Sequence, residues 1–180
     1  MAVEEVRRYL AAFGLDERVR EFDASSATVE LAACAVGTQP CRIAKTLSFL
    51  VEGKAILIVA AGDARIDNPK FKTRFHAKAK MLTPDQAVDM VGHAVGGVCP
   101  FALPADVDVY LDESLCRFET VFPAAGSPSS ALELAPDELE RCASNFAGWV
   151  DVCKGWRPND SAQHRDDGAP EIVAKALPKR

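Results

Sequence analysis

The run Leu47-Ser48-Phe49-Leu50-Val51, the turn Glu52-Gly53-Lys54 and the run Ala55-Ile56-Leu57-Ile58-Val59-Ala60 constrain this chain more than any other stretch. Two apolar runs of strand length, separated by a short glycine-bearing turn, predict a β-hairpin. The second run holds no polar residue. It therefore predicts a strand buried within a sheet, not one with a wet face.

The flanking segments supply the cover. Residues 4–13 carry Val6, Tyr9, Leu10 and Phe13 at helical spacing, with Gly14 placed as a cap. A second helix is expected over 28–36, after N-cap oxygens in Asp23-Ala24-Ser25-Ser26 and before the stop Gly37-Thr38-Gln39-Pro40. A further helical turn over 42–46 would deliver Lys45 to the start of the hairpin. A basic helix follows over 67–75, then a short strand over 79–82. Thr83-Pro84-Asp85-Gln86 reads as a capping box with proline at the first helical position, opening a helix towards residue 91. A strand or a turn is expected over 18–22 and strands over 107–111, 120–125, 131–134 and 148–153, with a helix starting at Pro136.

Short strands separated by turns or single helices predict an α/β fold of the α+β type: a mixed, largely antiparallel central sheet surrounded by helices. With 180 residues, 48% of them hydrophobic, the chain suits one folded domain over 1–153. A polar tail over 154–180 is expected to be partly disordered or docked.

No apolar run approaches the roughly 20 residues that span a bilayer, and no signal-peptide pattern opens the chain. A cytoplasmic protein without a membrane partner is the expectation. The cysteines (Cys34, Cys41, Cys99, Cys116, Cys142 and Cys153) are scattered with no C-x-x-C pair, which predicts free thiols and disfavours a redox protein. The histidines show no ligand-like spacing, so neither a metal nor another cofactor is expected. Net charge is −5, so a nucleic-acid binder of this kind must gather positive charge locally. Lys70, Lys72, Arg74, Lys78 and Lys80 do so within an acid-free run. A solvated helix face is the plain alternative.

Gly92-His93-Ala94-Val95-Gly96-Gly97-Val98-Cys99-Pro100-Phe101 is a glycine-rich turn closed by proline. Glycines let backbone approach a ligand closely, and Pro100 stiffens the exit. Open N–H groups in such a loop can receive an oxyanion or a phosphate.

Taken with Ile43-Ala44-Lys45-Thr46-Leu47, this loop makes the sequence resemble the YbaK family of aminoacyl-tRNA deacylases, related to the editing domain inserted in bacterial prolyl-tRNA synthetase. The loop contains the family's G-x-x-x-P pattern from Gly96 to Pro100. Val109-Tyr110-Leu111-Asp112-Glu113-Ser114 and Ala124-Ala125-Gly126 match in register, so the resemblance spans roughly residues 1–153. The chain departs from the synthetase-inserted members after Gly126, where they carry histidine and it carries Ser127-Pro128-Ser129-Ser130.

The resemblance implies hydrolysis of the ester joining a mischarged small amino acid to tRNA, with no cofactor. It implies that Lys45 is the principal functional side chain and that the G-x-x-x-P loop lines the aminoacyl pocket. Such an ester is already activated, so orienting water and stabilising the oxyanion can suffice. No Ser–His–Asp triad is visible. Lys45, Gly96 and Gly97 are the catalytic candidates, Lys45 on a phosphate or ribose oxygen of the terminal adenosine and the loop amides on the oxyanion. Val98, Cys99, Pro100, His93, Asp112, Gly126, Ser127 and Ser129 are the substrate-binding candidates.

Alternatives stand beside several of these. His93 braces the turn or acts as a general base; Cys99 is a wall thiol or a nucleophile. Asp112 orders its own turn or orients Lys45. Ser127 and Ser129 recognise a polar group or merely build a turn. Lys70, Lys72, Arg74, Lys78 and Lys80 would hold the tRNA acceptor end, with an aminoacyl-tRNA synthetase as a further candidate partner and no DNA. The competing functional class is a binding module that holds aminoacyl-adenosine, a nucleotide or the tRNA acceptor end without turnover.

Overall fold

The apolar hairpin sits at the middle of the molecule, in a computed structural model that describes residues 2–160. Strand β2 (Ile43–Val51) pairs antiparallel with β3 (Lys54–Ala61), from Ala44 opposite Ala61 to Val51 opposite Lys54. Glu52 and Gly53 make the two-residue turn, both with positive φ, as the right-handed twist of a hairpin favours. Seven of the eight residues of β3 are buried, so both of its faces are covered.

The remaining elements in chain order are α1 (Ala2–Ala11), β1 (Arg20–Glu21), α2 (Val29–Val36), β4 (Arg65–Ile66) and α3 (Asn68–Phe75). After them come α4 (Pro84–Gln86), β5 (Asp108–Asp112), β6 (Phe122–Pro123), β7 (Ser130–Ala131), α5 (Pro136–Cys142), β8 (Phe146–Val150) and β9 (Cys153–Lys154). The central sheet has five strands in the order β6-β2-β3-β5-β8. A mixed sheet with helices around it is the architecture expected. The strand directions differ from expectation. Within the central sheet β2 and β3 are antiparallel, whereas β2–β6, β3–β5 and β5–β8 are parallel. Antiparallel pairing recurs in the small sheets β1–β7 and β4–β9. A tight turn announces its hairpin locally; a parallel neighbour arrives by a crossover that leaves no local mark.

Helix α3 covers one side of the hairpin. Asp67 caps it through the Lys70 N–H, and its buried Phe71 meets Phe49 of β2 at a ring-centroid distance of 5.0 Å. Phe75 continues the stack onto Tyr110 of β5. Helix α2 packs on β2 near Ile43 and Phe122, with Thr28 as its N-cap. Residues 23–26 therefore precede the cap without forming it. Thr83 and Gln86 form the expected capping box, and α4 widens into a π turn over Ala87–Val91.

Two local expectations give way. Residues 42–46 do not form a helical turn: a 3₁₀ turn at Pro40–Arg42 leads directly into β2, so Lys45 lies inside the strand. Residues 79–82 make one isolated bridge, Met81 to Phe49, not a strand. Past residue 153 the chain continues in the small sheet, with Lys154 opposite Arg65. Residues 161–180 of the expected tail lie outside the described residues. No helix among the described residues is long and apolar enough to cross a membrane.

Candidate functional site

A cleft of about 430 Å³ opens between α2, the first half of β2 and the glycine loop. That volume falls within the roughly 300–1,000 Å³ of small-molecule sites. Val29, Ala32 and Val36 of α2 form an apolar wall with Ile43 and Phe122. Met81 and Val95 stand at the opposite side, 56% and 63% exposed, and give the mouth an apolar rim. The polar lining comes from Lys45, Thr46, Ser48, Ser26, Thr28 and Ser130. No carboxylate, imidazole or thiol lines the cleft among the described residues.

Lys45 enters from β2, and its ammonium is seated on backbone. Nζ donates to the Gly62 carbonyl at 3.3 Å and to the Ala64 carbonyl. An ammonium has three N–H donors, so one is left for a ligand. Burial pushes the Lys45 pKa below its ordinary value, against a smaller opposing influence from Cys153 and Asp63.

Thr46, the next residue, contributes a hydroxyl that sequence reasoning overlooked. Its Oγ1 is buried without a hydrogen-bond partner among the described residues, and the residue lines the cleft. An orphaned buried hydroxyl is costly unless a ligand or water satisfies it. Only the alternation of side chains along a strand signals it, and that signal is lost when the segment is read as a helix.

The glycine loop meets the cleft through Gly96 and Val98. The N–H of Gly97 donates to Ala94 O at 3.0 Å, so this amide closes the loop's own turn. The Gly96 and Val98 amides, like that of Val95, have no acceptor among the described residues, so they are open donors that the loop can present. Gly97 serves in another way. A Cβ there would lie 2.8 Å from both the Gly126 carbonyl oxygen and Ser127 Cα, so only glycine lets the two loops close on each other.

His93 and Cys99 lie behind the loop, buried and off the cleft wall. His93 Nε2 is 2.9 Å from the Phe101 carbonyl oxygen. A carbonyl only accepts, so Nε2 carries the proton. Cys99 Sγ, 3.5 Å from that nitrogen, therefore faces an N–H and finds no base in it. Burial also pushes the Cys99 thiol up to about 12. The pair braces the loop. Pro100 is buried as well, its carbonyl accepting from the Ser144 N–H at 2.8 Å.

Asp112 is fully buried, with its two oxygens accepting from the Ser114 and Val152 N–H groups at 3.0 Å each. It orders the end of β5 and does not hold Lys45. Ser127 and Ser129 are turned to one another: Ser127 Oγ donates to Ser130 Oγ at 2.9 Å and accepts from the Ser129 N–H. Of that serine turn, Ser130 reaches the cleft, and Gly126 stays behind it. Ser26, in the loop before α2, ties the turn to the cleft wall by bonding the Pro128 carbonyl.

The basic run divides. Lys70 Nζ bonds Asp151 at 3.1 Å and the Cys153 carbonyl at 3.3 Å, which holds it on the side of β9. Arg74 lies over the rings of Phe75 and Tyr110. Lys72, Lys78 and Lys80 have no ion pair among the described residues. The Leu50 N–H bonds Lys80 O at 2.8 Å, which brings Lys80 alongside β2 next to the cleft residue Met81.

Residues 23–142 match a family model described as the aminoacyl-tRNA editing domain. The chain is 52% identical over 157 residues to the uncharacterized protein YwhH of Bacillus subtilis (strain 168), covering 87% of this chain and 99% of that one. It is 30% identical over 89 residues to a proline–tRNA ligase of Lysinibacillus sphaericus (strain C3-41), covering 49% of this chain and 16% of the ligase. A solved structure reported as a candidate trans-editing enzyme for prolyl tRNA synthetase superposes with a TM-score of 0.74 at 30% identity, covering 83% of this chain and 97% of that one.

Proposed function

This chain belongs to the aminoacyl-tRNA editing domain family, the group of YbaK and the domains associated with prolyl-tRNA synthetase, and we propose that it hydrolyses the ester of mischarged aminoacyl-tRNA bearing a small amino acid, acting in trans. The observation that carries this reading is one cleft lined by both Lys45 and the loop residues Gly96 and Val98. In it the remaining N–H of Lys45 meets a phosphate or ribose oxygen of the terminal adenosine, where a charge-assisted bond in an apolar cleft is strong. The exposed apolar rim at Met81 and Val95 offers a surface for the adenine ring.

The aminoacyl group lies deeper, against Thr46, whose unpartnered hydroxyl addresses its amine or a small polar side chain, and against Ser130, whose hydroxyl is taken up by Ser127 and serves as wall. The Gly96 and Val98 amides are set to stabilise the oxyanion formed when water attacks the ester carbonyl. With no carboxylate or imidazole lining the cleft among the described residues, the proton leaves through hydroxyl groups, water or the substrate itself. The released products are the free amino acid and the tRNA with its terminal hydroxyl restored.

The test is a panel of tRNAs charged with alanine, serine, threonine, cysteine and small non-protein amino acids, assayed with wild type and Lys45→Ala. The reading expects release of at least one amino acid well above the uncatalysed rate, lowered by about ten- to a hundredfold in the variant for loss of one charged hydrogen bond. Binding of charged tRNA with no release from any member of the panel would move the protein to the class of binding modules.

A further inference from the structure

Lys45 does not stand alone on its seat. The carbonyls that hold it belong to Gly62 and Ala64, and the residue between them is Asp63. Asp63 is gripped by Arg117 at two points: Nη1 donates to Oδ2 at 3.0 Å and Nη2 to Oδ1 at 2.5 Å. A planar guanidinium on a carboxylate in this manner fixes direction as well as distance. Arg117 is itself immobilised. Its Nε donates to the Ser114 carbonyl at 3.0 Å and Nη1 also reaches the Trp156 carbonyl. Its guanidinium lies over both the Phe118 and Trp156 rings, at 4.7 and 5.0 Å.

The other flank of the seat is closed by packing. A Cβ on Gly62 would lie 2.0 Å from the Pro40 carbonyl oxygen, so the turn is wedged against the 3₁₀ turn before β2. The Ala64 N–H bonds Ala61 O at 3.0 Å and closes it. Pro40 on one side and Arg117 on the other leave the two carbonyls one position.

We propose that Asp63 and Arg117 are positioning residues for Lys45: their ion pair clamps the 62–64 turn so that its carbonyls point the ammonium at the ligand. Half-exposed ion pairs add little to stability, so the clamp's value lies in geometry. It also places a charge. The groups facing the ammonium are Cys153 from β9, Asp63 and Arg65 from the turn and β4, and Glu30 from α2. Asp63 is among those that favour the charged form, opposing the burial that disfavours it.

The kinetic part of the test rests on the deacylase reading; the titration part does not. Lysine is labelled with carbon-13 at Cε, and the Lys45 signal is assigned by its disappearance in Lys45→Arg. Asp63→Asn is expected to make Lys45 titrate at lower pH, and Arg117→Ala, which releases the turn while removing a cation, is expected to shift that titration too. Both are also expected to reduce kcat/KM by about tenfold or more, the scale of a misplaced charge-assisted hydrogen bond to the substrate. Arg117→Lys keeps the charge and loses the fork, and is expected to fall between. A Lys45 titration unchanged in Asp63→Asn and Arg117→Lys would overturn the clamp, whatever the enzyme assay shows. A lowered Tm with that titration unchanged would make the pair structural only, and would overturn it equally. Should wild type release no amino acid, a shifted Lys45 titration in Arg117→Lys, which leaves the charges in place, would uphold the clamp while the deacylase reading falls.

Discussion

Gly97 lies so close to Gly126 that a Cβ on Gly97 would stand 2.8 Å from the Gly126 carbonyl oxygen. Two loops far apart in sequence thus share one van der Waals gap, and the gap decides where the Gly96 and Val98 amides sit. Gly97→Ala is expected to push the loops apart by a few tenths of an ångström or more. Deacylation should drop by about tenfold to a hundredfold through misplaced donors. Thermal unfolding should also move down by several degrees, since both glycines are buried and the clash is with backbone. Activity at the wild-type level in a folded Gly97→Ala would separate this loop from the chemistry.

The depressed pKa of Lys45 sets a pH dependence with a definite sign. The folded protein releases the Lys45 proton at lower pH than the unfolded chain does. Below both pKa values the buried charge is a cost to folding. Between them the unfolded state binds more protons, so this group makes stability rise with pH across that window. On the proposed reading activity runs the other way, because the charged form is the one that would hold the substrate. The enzyme's rate above the uncatalysed background is expected to fall with rising pH below the usual lysine range, with an ionisation that disappears in Lys45→Gln. A pH–rate profile for both proteins checks it.

Cys99 provides a contrast, since its thiol is pushed up to about 12 and has an N–H beside it. At neutral pH it is a neutral thiol buried behind the loop. Cys99→Ala is expected to keep deacylation within about threefold of wild type, with a loss of stability of about 1–2 kcal/mol from the small void. Alkylation of native protein should modify the exposed Cys34 and Cys116 and leave Cys99 untouched until the chain unfolds. Above pH 9 the unfolded thiol ionises and the folded one does not, so this group's contribution to stability is lost as pH rises from 9 towards 12.

What was legible in the sequence follows from how local each signal is. The Glu52-Gly53 turn and the Thr83–Gln86 capping box are both decided within a few residues, and each forms as read. Lys45 and the glycine loop, recognised through resemblance, do share a cleft. The parallel pairing of β3 with β5 bridges about fifty residues of chain, and no local pattern specifies it. Thr46 and the seat at Gly62 and Ala64 were invisible for the same reason. The first needed the strand that residues 43–46 join, and the second is made of carbonyls, which every residue has.

The division within the basic run gives the last prediction. Lys70 is held by Asp151 and the Cys153 carbonyl, while Lys72, Lys78 and Lys80 have no ion pair among the described residues and Lys80 lies beside the cleft. If the run holds the acceptor end, these three lysines meet phosphates and Lys70 does not. Lys78→Ala and Lys80→Ala are each expected to raise the dissociation constant for tRNA and to reduce the slope of log K against log salt by about 0.7–0.9, the value of one phosphate no longer neutralised. Lys70→Ala should leave that slope unchanged and cost at most about 1 kcal/mol of stability, the worth of a half-exposed ion pair. Filter binding across a salt series, with denaturant unfolding of the same three variants, separates the two behaviours. Equal slopes in all of them would place the acceptor end elsewhere on the protein.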